Sequence, residues 1–297
     1  MSLRTRTLLT IGLTAISLVA VLSLLFSRTL LRAFAEAELR DTERDAHHAR
    51  AFLEDELRAM DVLNHDWASW DDTYAFIEDA NPAYIRSNIT DETFLNAHLN
   101  LMLFVHASGR VVLARAYDLE AEQEVPVPQE VDDALPVLAR ATEGGLRGLL
   151  LLPEGVLLVT ARPILTSEDE GPARGVLAFG RYLNADLLDR MSQHLDLSVT
   201  AYRADRPEEW PEDLRVIYPQ LSPEAPILAR ALDGARIAGY GLMTDLYGRP
   251  ALVLRTEGPR NIYQRGLLAL RYLIGTTTAL GLLVALAAAL LLERDVL

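Results

Sequence analysis

The sequence predicts an α+β protein: an antiparallel sheet preceded by one long N-terminal helix, with an apolar helix of membrane-crossing length at each end. Three observations predict it. Of the 297 residues 50% are hydrophobic, and mean hydropathy is positive although 24% are charged, so the apolar residues are segregated. Residues 8–26 and 273–292 are runs of 19 and 20 residues without a charge, each able to cross a ~30 Å hydrocarbon core at about 1.5 Å per residue. Between them the apolar period is three-and-four up to residue 79 and two after residue 99.

Composition excludes several classes. All 28 basic residues are Arg, which reflects base composition, and the net charge is −14. Nucleic-acid binding is not expected, because phosphate contacts need clustered cations. With no Cys there is no disulfide framework, thiolate metal site or cysteine nucleophile. The apolar content also excludes intrinsic disorder.

Residues 1–26 form the N-terminal segment and first span. Arg4 and Arg6 precede the run and Arg28 and Arg32 follow it, so local charge leaves the orientation open. Two spans put both termini on one side. The intervening residues 27–272 carry 25 Arg against 40 acidic residues, and a bacterial inner-membrane arrangement with an extracytoplasmic domain is expected. Ala33-Phe34-Ala35 has the form of a signal-peptide cleavage site, but it lies beyond an unusually long apolar run, and a retained anchor is preferred.

Residues 27–79 contain no Pro or Gly, and apolar residues recur from Ala46 through Leu53, Leu57, Met60, Trp67, Trp70 and Tyr74 to Ile77, with one slip at Glu56. One continuous helix is expected, ended by Asn81-Pro82. Strands follow over 99–107 and 111–117 about Ser108-Gly109, then a short helix over 130–141. Further strands are expected over 149–152 and 156–161 about Pro153-Glu154-Gly155, and over 175–182. Asn184 can cap a helix over 185–195, ahead of a strand over 197–202. About five antiparallel strands in 99–182 behind a long helix is the pattern of a PAS-like or Cache-like α+β sensor.

A membrane-proximal part, 183–260, continues with a Pro-rich irregular excursion over 205–226 and a last hairpin about Tyr247-Gly248. A helix from Asn261 enters the second span, 273–292. Its small residues Gly275, Ala279, Gly281, Ala285 and 287–289 allow close packing of the spans and, in a homodimer, a four-helix bundle. Residues 293–297 are read as the start of a missing cytoplasmic output region.

Two stretches carry a family resemblance. The first is Asn64-His65-Asp66-Trp67-Ala68-Ser69-Trp70-Asp71-Asp72-Thr73-Tyr74-Ala75-Phe76, with Asn81-Pro82 and Tyr84-Ile85-Arg86-Ser87-Asn88 after it. The second is Ala161-Arg162-Pro163-Ile164 with Gly175-Val176-Leu177-Ala178-Phe179-Gly180-Arg181. Over about residues 46–181 the chain resembles the fourth type of CHASE domain, an extracytoplasmic sensory module of bacterial histidine kinases and diguanylate cyclases. That resemblance implies signal reception, not catalysis, coupled to a two-component kinase or a cyclic di-GMP effector.

The candidate ligand-binding residues are Trp67, Trp70, Asp71, Tyr74, Arg162 and Arg181. Physically, Trp67, Trp70 and Tyr74 form one helical stripe, read first as a core face and second as a ligand contact. Arg162 and Arg181 could neutralise Asp66 and Asp71, or could hold an anionic ligand through their bidentate forks. By strand alternation Phe104, His106, Arg115, Tyr117 and Phe179 could share a pocket with them. The six His show no metal-ligand spacing, and no nucleophile elbow or phosphate loop occurs. No enzyme activity, cofactor or metal is therefore expected. The partners expected are the membrane, a second copy and a small ligand. The alternative is a protein-interaction module that meets an envelope protein, discriminated by the absence of a pocket.

Overall fold

The computed structural model describes residues 3–294, which fall into two compact units. The expectations placed on the side chains of Arg4, Arg6, Ala288 and Ala289, and on residues 295–297, lie outside the described residues.

The larger unit holds residues 43–228 and 239–257. The helix α1 (Leu3–Ala68) supplies its residues from 43 onward and is followed by α2 (Asp71–Asp79), α3 (Pro82–Asn88) and α4 (Asp91–Ala97). The single helix expected over 27–79 is thus broken, and the break is at Trp70, whose backbone is extended (φ −120°, ψ 131°). Neither Pro nor Gly causes it. The Leu165 N–H donates to the Ala68 carbonyl, and Asp71 and Asp72 lie in the first turn of the next helix, where its dipole favours carboxylates.

Six strands build the main sheet: β1 (Leu101–His106), β2 (Val111–Asp118), β3 (Gln123–Val125), β4 (Leu146–Leu151), β5 (Val156–Pro163) and β6 (Gly175–Tyr182), in the order β3-β2-β1-β6-β5-β4. The additional strand β3 is three residues long and polar at two of them, too short to show a period. The helix α5 (Glu130–Leu138) lies between β3 and β4 in sequence. The sheet is antiparallel where its pairs are registered, yet β5 and β6 begin with six consecutive buried residues each. Both faces are covered, which replaces alternation by continuous apolar runs. One face packs Met102, Phe104, Leu158, Leu177 and Phe179 with Leu53, Leu57 and Met60 of α1. The other packs Leu103, Val105, Val159 and Val176 with Val131, Ala134 and Val137 of α5.

Two glycines of β6 make the sheet possible. A Cβ at Gly175 would stand 2.3 Å from the Val105 carbonyl oxygen, and one at Gly180 would stand 2.8 Å from Leu157. The exposed edges are short or covered: beside β4, Leu149 bridges to Asp245, and the Leu246 N–H donates to the Leu149 carbonyl at 2.9 Å.

After α6 (Ala185–Leu195) and β7 (Ser198–Arg203), the excursion expected to be irregular contains α7 (Glu212–Ile217), which buries Leu214 and Ile217. Next come β8 (Ile227–Ala231), not expected from the sequence, β9 (Arg236–Thr244) and β10 (Pro250–Pro259). A second, four-stranded sheet runs β7-β10-β9-β8.

The smaller unit holds residues 1–42, 229–238 and 258–297. Here the first part of α1 and α8 (Asn261–Arg294) both run over stretches long and apolar enough to cross a membrane. Leu18, Leu22 and Phe26 line a common apolar groove with Leu273, Thr277 and Leu280. Where α8 begins, Glu38 is only 3% exposed. Its carboxylate accepts from Arg260 Nε at 2.8 Å and from the Tyr263 N–H at 3.0 Å, one of the first-turn N–H groups that lack a helical partner.

Candidate functional site

The aromatic motif forms a latch for the loop between β5 and β6. Asp71 and Ser167 pair reciprocally: the Ser167 N–H donates to the Asp71 carboxylate at 3.0 Å, and the Asp71 N–H donates to Ser167 Oγ at 3.1 Å. Ser69 donates to Asp169, and His65 Nε2 lies 3.6 Å from the same carboxylate. The Tyr74 hydroxyl donates to the Pro172 carbonyl at 3.2 Å, and the Arg174 guanidinium stands 3.8 Å above the Tyr74 ring. Trp67 packs edge-on against Phe179 with centroids 6.0 Å apart and is half-buried. Trp70, expected in the core with it, is 43% exposed, because the break in the helix turns it off the stripe.

Three polar side chains of α1 face the sheet and set the helix's register upon it. Asn64 is fully buried and its amide donates to the carbonyls of Thr160 and Leu177 at 3.0 and 3.1 Å. Asp61, 4% exposed, takes both prongs of Arg162, with Nε at 2.7 Å, and Arg147 Nη1 at 3.3 Å. Glu56 accepts from Arg181 at 2.9 Å and Arg190 at 3.4 Å, while Arg181 also donates to the carbonyls of Ala97 and His98. The arginines therefore pair with Asp61 and Glu56, not with Asp66 and Asp71 as expected. Asp66 is exposed, and Asp71 is taken by the loop. The Asp61 carboxylate raises the Arg162 pKa; burial lowers that of Arg181, partly offset by Glu56.

The six candidate residues thus fall into three places. Trp67, Trp70, Asp71 and Tyr74 gather at the latch. Arg162 and Arg181 pair across the β5–β6 ladder with Leu177 and Leu158, four positions apart along each strand. Asp61, Asn64, Ser167 and Asp169 were missed. Asp61 and Asn64 stand one position outside the apolar stripe, a place that reads equally as solvated. Phe104 and Phe179, offered as pocket residues, are closed into the core.

Space for a ligand lies elsewhere on the sheet. A cavity of about 550 Å³ opens over Leu101, Ala116 and Leu157 and is bounded by Tyr182, Asp118, Glu120, Glu154 and Pro128. A second, of about 670 Å³, is lined by Leu95, His98, Arg181, Asp186, Asp189 and Arg190, and shares Asn100, Glu120, Tyr182 and Asn184 with the first. Both volumes suit small molecules. Burial pushes the Tyr182 phenol up to about 12, with Glu154 and Glu130 adding to the shift. Among the described residues no group of three His, Asp or Glu is arranged to hold a metal ion.

Comparison with known proteins places this geometry. The model of the CHASE4 domain matches residues 52–202. The methanogenesis regulatory histidine kinase FilI of Methanothrix harundinacea (strain 6Ac) is 29% identical over 229 residues, covering 74% of this chain. The chain spans 24% of that relative's length. Two solved structures share the fold at 12% identity. One is the extracellular domain of a protein assigned as a histidine kinase, vpHK1S-Z8, with a TM-score of 0.52 over 79% of this chain and 95% of that one. The other is a domain assigned to the sensory box/GGDEF family from Vibrio parahaemolyticus, with a TM-score of 0.53 over 78% and 99%.

Proposed function

Because this chain belongs to the CHASE4 domain family, we propose that it is the two-span, extracytoplasmic input module of an inner-membrane receptor whose output is a histidine kinase or a cyclic-dinucleotide enzyme. The observation that carries the reading is the pair of adjoining cavities on the main sheet, within the residues that match the sensory family. The same cavities favour a small ligand over a protein partner. The packing of the two apolar stretches and the Glu38–Arg260 clamp support a two-span hairpin, with a homodimer joining two such hairpins in the membrane. A ligand that binds one of two arrangements tenfold better shifts their equilibrium by about 1.4 kcal/mol.

The test is a fusion of the chain to a histidine kinase core, assayed in membrane vesicles. Arg260→Ala is expected to change autophosphorylation about fivefold at equal membrane content, the scale of a typical coupling energy. A rate that stays constant in Arg260→Ala and in Glu38→Ala would remove the receptor reading.

A further inference from the structure

We infer that the cavity over Leu101, Ala116 and Leu157 is built for a small organic cation, an amine or quaternary ammonium carrying an apolar body. This rests on the receptor reading above and gives it a ligand class. The floor is apolar, and Tyr182 is the wall: it follows Arg181 on β6 and so faces the side opposite the α1 core. The rim carries Asp118, Glu120 and Glu154, and no Arg, Lys or His lines the cavity. Of these, Asp118 is half-buried, and Glu120 and Glu154 are exposed. Among the described residues the side chains of Glu120 and Glu154 have no ion-pair or hydrogen-bond partner, and Asp118 spends one oxygen on the N–H groups of Glu120 and Ala121. Among the described residues the Tyr182 hydroxyl has no hydrogen-bond partner either, and its pKa is raised first by burial, with Glu154 and Glu130 adding to the shift.

An anionic ligand would meet carboxylates and no compensating charge. A neutral one would leave the field unanswered. A cation gains from both the rim and the face of the Tyr182 ring, which attracts positive charge. The Arg181 guanidinium in the adjoining cavity does not oppose this, since Glu56 and two backbone carbonyls hold it.

The experiment uses the full chain in lipid nanodiscs, with thermal unfolding and titration calorimetry. The probes are 2-phenylethylammonium, its neutral analogue 2-phenylethanol and its anionic analogue phenylacetate, with choline and putrescine as further cations. At least one cation should raise the Tm, and neither analogue should. Affinity should fall with ionic strength and fall about tenfold in Glu120→Gln/Glu154→Gln. Both substituted residues are exposed loop positions, so the ligand-free Tm should not move. The inference is overturned if no cation binds, if an analogue binds as well, or if the double variant keeps wild-type affinity. The kinase fusion separates the two readings. An Arg260-sensitive fusion with no cation binding overturns only the ligand class; cation binding with an insensitive fusion overturns only the receptor.

Discussion

Asp61 holds two arginines from a position 4% exposed, so removing its charge leaves guanidinium groups over the sheet without a partner. Fully buried pairs lose about 3–5 kcal/mol on such a change. Arg162 keeps 28% side-chain exposure, and Asp61→Ala is expected to cost about 2–3 kcal/mol, measured by denaturant unfolding of the detergent-solubilised chain. Gly175→Ala is expected to destabilise by about 1–3 kcal/mol, because its Cβ would meet a backbone oxygen that cannot swing away. The two tryptophans should now separate: about 3 kcal/mol for the half-buried Trp67→Ala, and about 1 for the exposed Trp70→Ala. Equal losses would mean that Trp70 packs in a way its exposure does not show.

The element α7 shows how a Pro-rich stretch is anchored. Its Asp213 carboxylate accepts from the Tyr240 hydroxyl on β9 and from Arg255 Nε on β10 at 2.7 Å, while Trp210 Nε1 donates to the Arg203 carbonyl at 2.7 Å. Burial alone would push the Asp213 pKa up, but the two hydrogen bonds and the charge of Arg255 outweigh it and hold the pKa below 3.8. A depressed folded pKa means that Asp213 stabilises above the unfolded value, and that this contribution fades as pH falls through the folded one. Thermal unfolding between about pH 5 and 2 should therefore decline less steeply in Asp213→Asn than in wild type. None of this was legible in the sequence, where five prolines over 205–226 hid a six-residue helix. Other elements were legible: β6 lies where a strand was expected over 175–182, and α6 lies where the Asn184 cap puts it. The break at Trp70 was not, because a distant loop imposes it, and neither were the partners of Arg162 and Arg181, because Asp61 and Glu56 become interior only once α1 lies on the sheet.

At the scale of the whole chain, the absence of Cys makes topology directly testable. Single cysteines at the exposed Glu168 and Glu208 should react with a membrane-impermeant maleimide in intact cells, whereas Ser2→Cys should react only after permeabilisation. The bridge beside β4 carries a different consequence. That strand is Leu146–Leu151, mostly leucine, and its outer edge would otherwise offer a row of backbone donors and acceptors to any extended chain. Asp245 and Leu246 occupy that edge, and Leu246 fills the space above Gly148 so closely that a Cβ there would stand 2.7 Å away. The opposite edge, β3, is too short and too polar to template anything. The turn between β9 and β10 therefore acts as a stopper against self-association. Replacing Leu246 with Asp should leave the sheet formed yet allow strands of neighbouring molecules to zip together, seen as concentration-dependent aggregates long before the fold itself is lost.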